Sequence, residues 1–261
     1  IPLATLFLCG LQVILFFTNC ATNESLTTNE CFFPSDTSDF KTYFPEWAPF
    51  TMYSAVNSTA VNSTEIDGSK RTQVWRLVTS LFSHYGVYHV ASNVVTTFIL
   101  TYTLEIVHGS VETAFCWMLC GVAACFSQQA YDSILNQCAY PLYLVGSSGA
   151  AYGVIGLHVS NLIQNGDSMS IQHRMLRFVG LVFMGIVAIS EYLWYTNDGV
   201  AYMAHFGGMA AGLCVGFIFL RNLDQRAWEL KFSRFFQLCS GLLLGILACI
   251  SYFGFQNACT V

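Results

Sequence analysis

The sequence predicts an all-α protein, a polytopic membrane helix bundle of seven transmembrane helices. Three observations carry this prediction. The residues A, V, I, L, M, F, W, Y and C make up 54% of the 261 positions, and D, E, K and R only 10%, against roughly 25% in a soluble domain. The apolar residues gather into seven stretches, at 1–18, 81–104, 111–131, 142–163, 176–195, 200–220 and 235–255, each close to the ~20 residues a spanning helix needs. Gly, Ser and Thr recur inside these stretches, as they do where helices approach closely in lipid.

Taken in order, the first helix occupies 1–18 and reads as truncated, because residue 1 is Ile with neither an initiator Met nor a basic segment ahead of the apolar run. A polar first loop follows at 19–80, then a core of helices two to six at 81–220, then a loop and the seventh helix at 221–261. The first loop carries three glycosylation sequons, at Asn23, Asn57 and Asn62, so it reads as lumenal or extracellular and the chain as a glycoprotein. Counting crossings onward places Arg174, Arg177, Arg221, Arg226, Lys231 and Arg234 in two short cytosolic loops, in agreement with the positive-inside rule. Such a chain belongs to the secretory pathway or plasma membrane.

Charge and cysteine usage exclude other classes. The formal net charge is −5, and the ten Lys and Arg are too scattered for a nucleic-acid footprint. Seven of the eleven cysteines fall within apolar helices, where Cys behaves as a small hydrophobe. Cys20, Cys31, Cys138 and Cys259 would face the oxidising side, allowing one or two bridges of unspecified connectivity.

Polar groups inside spanning helices are costly unless partnered, so each is a candidate for function. Three clusters qualify: His84, His89 and Asn93 at the start of the second helix, Gly146-Ser147-Ser148-Gly149 at the start of the fourth, and His205 early in the sixth. Helices two, four and six all descend from the lumenal side, which puts the clusters at similar depth, ~5–12 Å below that interface at 1.5 Å per residue. Residues four apart share a helical face. His89 therefore aligns with Asn93, Ser148 with Tyr152, and His205 stands above a seam of Gly208, Gly212 and Gly216 that would press the sixth helix against the fourth.

This set suits acyl transfer. A serine hydroxyl needs a base within hydrogen-bond reach, and His is tuned for that role near neutrality. His89, Asn93 and the Ser148 backbone N–H are donors for a tetrahedral oxyanion, aided by the free amides of a helix N-terminus. Tyr152 would stack on the imidazole. Asp198, seven residues before His205, reads as a solvated loop residue rather than a third triad member. Taken singly, a Gly-x-Ser-Gly is mostly a packing motif and a lone intramembrane His mostly a satisfied bundle residue. His158 lies ten residues beyond Ser148, ~15 Å deeper, and reads as structural. His108 and His173 read as interfacial, and Glu105 as an anchor for the lower end of the second helix.

In chain order the residues Trp75-Arg76, Thr79, Phe82, His84, His89, Asn93, Glu105, Gly109, Gly146-Ser147-Ser148-Gly149, Tyr152, His205, Gly208 and Gly212 resemble the rhomboid family of intramembrane serine peptidases. The resemblance runs from about residue 75 to 216. It implies a six-helix core plus one C-terminal helix, the layout of eukaryotic secretory-pathway rhomboids, with His158-Val159-Ser160-Asn161 as a further likeness. It also implies that Ser148 and His205 are the catalytic dyad, His89 and Asn93 the oxyanion-hole side chains, Tyr152 the ring beneath His205, Arg76 a structural arginine and His84 a structural histidine. Substrates would be single-span membrane proteins cut near the lumenal face, with lipid as the surrounding partner and no cofactor.

Other chemistries fit poorly. No His-Glu-x-x-His exists, since His84 and His89 are five apart with no Glu between them, so no metal is expected. An aspartyl mechanism would need two intramembrane Asp, whereas Asp132 lies at a helix end and Asp167 in a loop. A transporter would string its polar groups along a path instead of gathering them on one side. The non-enzymatic alternative is a membrane protein that binds client helices and steers their traffic.

Overall fold

The structure, a computed structural model, describes residues 1–24, 27–34, 52–53, 75–134, 143–194 and 200–223, with short pieces between 234 and 249. Six long helices organise these residues: α1 (Leu3–Thr22), α2 (Val87–His108), α3 (Ser110–Ile134), α4 (Ser148–Asn165), α5 (Ile171–Trp194) and α6 (Tyr202–Phe219). The described residues between 234 and 249 are helical too, but most of the expected seventh span lies outside the described set. Among the described residues, four helices, α1, α2, α3 over Ser110–Tyr131 and α6, are long and apolar enough to cross a membrane.

Helix α4 falls short of that standard for a physical reason. It is the centre of the bundle, packed against α6, α3, α2 and α5, and thirteen of its eighteen residues are buried. A sheathed helix can carry polar side chains provided neighbouring protein satisfies them. His158 Nδ1 faces the Arg177 guanidinium at 3.3 Å, so its Nε2 bears the hydrogen and donates to the Leu100 carbonyl at 2.9 Å. His108 Nδ1 accepts the Arg221 N–H at 3.3 Å and its Nε2 donates to Asn161 Oδ1 at 3.2 Å. Asn165 bridges Asn161 and the Arg221 carbonyl at 2.8 and 2.9 Å. His108, expected at an interface, is instead fully buried in this network, while His173 is exposed.

The α4–α6 contact is built from glycine. A Cβ at Gly212 would drive into the Gly153 carbonyl, one at Gly208 into the Gly149 carbonyl, and one at Gly156 into the Met209 carbonyl. Only backbone fits between these helices, which lets them run in direct contact.

Helix α1 is tied to the bundle along its length. At its start the Glu105 carboxylate accepts the Ala4 N–H at 2.7 Å, the Thr5 N–H at 2.8 Å and the Thr5 hydroxyl at 2.6 Å. These amides belong to a first turn that has no acceptor within its own helix. Glu105, at the lower end of α2, thus caps the start of α1. At the other end Cys20 is bonded to Cys31, which sits in the short helix Thr28–Phe32. That helix opens on a capping box: the Thr27 N–H and hydroxyl both donate to Glu30, at 2.8 Å each, holding its carboxyl below the usual carboxylate range. Cys138 and Cys259 lie outside the described residues.

Two helix starts require correction. The second helix begins at Val87 rather than 81, because residues 80–82 form a 3-10 turn and Gly86, at φ 85°, breaks the chain ahead of the helix where Pro34 packs against it. His84 therefore precedes the helix. The fourth helix begins at Ser148 rather than 142, since Tyr143–Leu144 pair with Met52–Tyr53 in a two-residue antiparallel ladder. Asn23 caps the end of α1 and is only 4% exposed; Asn57 and Asn62 lie outside the described residues.

Candidate active site

Two helix starts meet to form the site. Ser148 opens α4, and the turn before it is fixed by Gly146, whose φ of 104° suits glycine alone. The Gly146 N–H donates to the Ser80 carbonyl at 2.9 Å. Ser80 in turn ends the helical piece Arg76–Thr79, whose Arg76 is buried while Trp75 is half exposed. The Trp75-Arg76 segment thereby bears on the serine turn through one backbone hydrogen bond.

His205 lies in the first turn of α6. The Ala204 N–H of that turn is shared between the Ala201 carbonyl at 3.0 Å and Gln128 Oε1 of α3 at 3.2 Å. Gly207 faces the Ser127 side chain and Gly208 the Gly149 carbonyl, each without space for a Cβ. The two helix starts are therefore held side by side, and His205 Nε2 stands 2.9 Å from Ser148 Oγ. For Nε2 to accept the seryl hydrogen, the imidazole carries its own hydrogen on Nδ1.

Aromatic rings hold the imidazole in place. Tyr152, one turn below Ser148, lies 4.3 Å from the His205 ring at an interplanar angle of 8°. Tyr202 meets the same imidazole edge-on at 6.4 Å. Asp198 lies outside the described residues.

Donors converge on the opposite side. His89 Nδ1 accepts the Tyr85 N–H at 3.2 Å, so the neutral ring presents Nε2–H. A Cβ built on Gly146 would sit 2.7 Å from both His89 Nε2 and Cε1, and 3.8 Å from Asn93 Nδ2. Both side chains thus face the residue two positions before Ser148. One hydrogen of the buried Asn93 amide is engaged by the His89 carbonyl at 2.9 Å, which orients the other. His84, 2% exposed, packs edge-on against His89 at 5.2 Å.

The structure thus gathers Ser148, His205, Tyr152, Gly146, Gly149, His89, Asn93 and His84 around one point. It leaves Glu105 far away at the α1 cap, and Gly212 lower in the α4–α6 seam. Sequence reasoning missed Gln12, Ser80, Gln128 and Tyr202. Gln12 and Gln128 had a usable signal, each being an amide inside an apolar run; Ser80 acts through its backbone carbonyl and left none.

A family model described as the Rhomboid domain matches residues 71–222. The chain is similar to Rhomboid-related protein 3 of Homo sapiens, 30% identical over 164 residues that cover 60% of this chain and 39% of that protein. It is similar to Rhomboid-related protein 2 of Mus musculus, 23% identical over 222 residues covering 82% and 69%. It is also similar to Rhomboid-like protease 1 of Toxoplasma gondii, 26% identical over 164 residues covering 61% and 52%. The chain spans less than half the length of several curated relatives it matches.

Proposed function

The chain belongs to the rhomboid family, and from that premise we propose that it is a serine endopeptidase hydrolysing peptide bonds of single-span membrane proteins by a Ser148–His205 dyad. The observation that carries this reading is the 2.9 Å separation of Ser148 Oγ and His205 Nε2, with the imidazole held against Tyr152. His205 takes the seryl proton as Ser148 Oγ attacks the scissile carbonyl carbon. The oxyanion faces His89 Nε2–H, the Asn93 amide and the first-turn N–H groups of α4, where the helix dipole favours negative charge. His205 then gives its proton to the leaving amine, and a water deprotonated by the same imidazole releases the acyl group.

The substrate segment must unwind first, because a fully bonded helix withholds its carbonyls. The dyad lies at the end of the bundle that carries the Cys20–Cys31 bond, and we assign that end to the lumenal or extracellular face of a secretory-pathway or plasma membrane. Helix α5, whose outer face from Ile171 to Leu193 is largely exposed apolar surface, borders the side from which a substrate helix would arrive.

A serine-directed activity probe on the full chain in detergent or vesicles tests the assignment. Labelling of the wild type is expected, with complete loss in Ser148→Ala and a fall of about 10³-fold or more in turnover for His205→Ala. A folded Ser148→Ala variant that still labels, or a His205→Ala variant that still cleaves, would move the chemistry elsewhere. An unlabelled wild type that retains bound client helices would favour the non-catalytic alternative.

A further inference from the structure

The hydroxyl of Ser147 is misdirected for its position. Ser147 is the N-cap of α4, where a serine ordinarily turns its Oγ back to accept an N–H of the first helical turn. Here it makes no side-chain cap bond. Instead the hydroxyl donates to Gln12 Oε1 of α1 at 2.8 Å. Both residues are 0% exposed, and Gln12 lies on the buried stripe of α1 with Thr5, Leu8 and Phe16. A primary amide enclosed in the middle of a spanning helix costs several kcal/mol unless partnered. Its position against the residue preceding Ser148 needs a reason beyond packing, which a leucine would serve.

We propose that Gln12 is a positioning residue: by holding the Ser147 hydroxyl toward α1, it keeps the Gly149 and Ala150 N–H groups uncapped and open to the oxyanion. The first intrahelical bond of α4 here is Ala151 N–H to the Ser147 carbonyl at 2.9 Å, so the amides before it have no helical acceptor. If Oγ swung back to accept one of them, a donor aimed at developing negative charge would be spent on the ground state. Transition-state stabilisation would fall without loss of substrate binding.

The inference rests on the proposed peptidase activity, and its test separates the two. Gln12→Leu and the near-isosteric Gln12→Met remove the acceptor while favouring membrane insertion. Each is expected to lower kcat about tenfold, a fraction of the loss from removing a whole oxyanion donor, with KM unchanged. The deciding measurement is suppression: Ser147→Ala added to either variant removes the competing hydroxyl and restores kcat. A purely structural Gln12 predicts the opposite, a double variant no better than the single. Labelling of the wild type by the serine-directed probe together with unimpaired Gln12 variants, or impaired variants that Ser147→Ala fails to restore, overturns this inference alone. Failure of the wild type to label overturns the activity beneath it.

Discussion

At the scale of single residues the site depends on where side chains are absent. Gly146 does two things at once: it adopts φ 104° and yields the space that His89 and Asn93 overlook. Gly109 is a natural control, with φ 93° and nothing within 4 Å of an added Cβ. Alanine at either position should cost about 1–2 kcal/mol of backbone strain. Only Gly146→Ala places a methyl against His89 Nε2, so it alone should lower kcat, by about 10²-fold or more as a donor is displaced. Thermal unfolding paired with steady-state kinetics checks this; equal kcat for the two variants would detach His89 from catalysis. Much at this scale was legible in the sequence, because i to i+4 spacing fixes which residues share a helical face. Tyr152 lies one turn below Ser148 for that reason, and its ring meets His205 across the α4–α6 contact. Gln12 and Gln128 act on residues far along the chain, and nothing local in the sequence specifies such partners.

At the scale of elements, the helices are held by opposite devices at different places. Helices α4 and α6 meet through glycine, a contact readable from the four-residue repeat of small residues. Helix α1 meets α2 through the Glu105 carboxylate, across about a hundred residues of chain. The sequence marked Glu105 as an anchor for the lower end of the second helix but could not name α1 as its partner. A carboxylate that accepts two backbone amides and the Thr5 hydroxyl makes charge-assisted bonds worth about 1.5–3 kcal/mol each when measured singly, and these overlap. Glu105→Ala should therefore destabilise the bundle by about 3 kcal/mol, read as a lowered unfolding temperature in micelles. The dyad geometry depends on α4, α6 and α3, so the folded variant should retain kcat within about threefold. A large loss of kcat at unchanged stability would mean that α1 transmits through Glu105 to the site. Helix boundaries were the least legible feature. Apolar composition continues through 81–86 and 142–147, yet the helices start later, because the contact of Pro34 with Gly86 and the pairing of Tyr143 with Tyr53 are tertiary.

At the scale of the whole molecule, two ends of the bundle differ in chemistry. One end carries the dyad, the Cys20–Cys31 bond and, packed on Cys31, Tyr85 and Val145 beside the serine turn. The other carries Arg174, Arg177 and Arg221 with the buried His108–Asn161–Asn165 network. A disulfide persists in an oxidising compartment, and arginines in short loops collect on the cytosolic side, so the two signals predict one orientation with the dyad facing away from the cytosol. Sealed vesicles of known sidedness decide it. After reduction, a membrane-impermeant maleimide should reach the partly exposed Cys20 from the lumenal or extracellular face. A cysteine placed at Arg174, on the opposite end, should react only from the cytosolic face. Reaction of both from one side would contradict the bundle's polarity. Reaction of each from the face opposite to that expected would reverse the orientation and put peptide release into the cytosol. The sequons could not have decided this alone, since Asn23, the one sequon asparagine within the described residues, is buried at the end of α1.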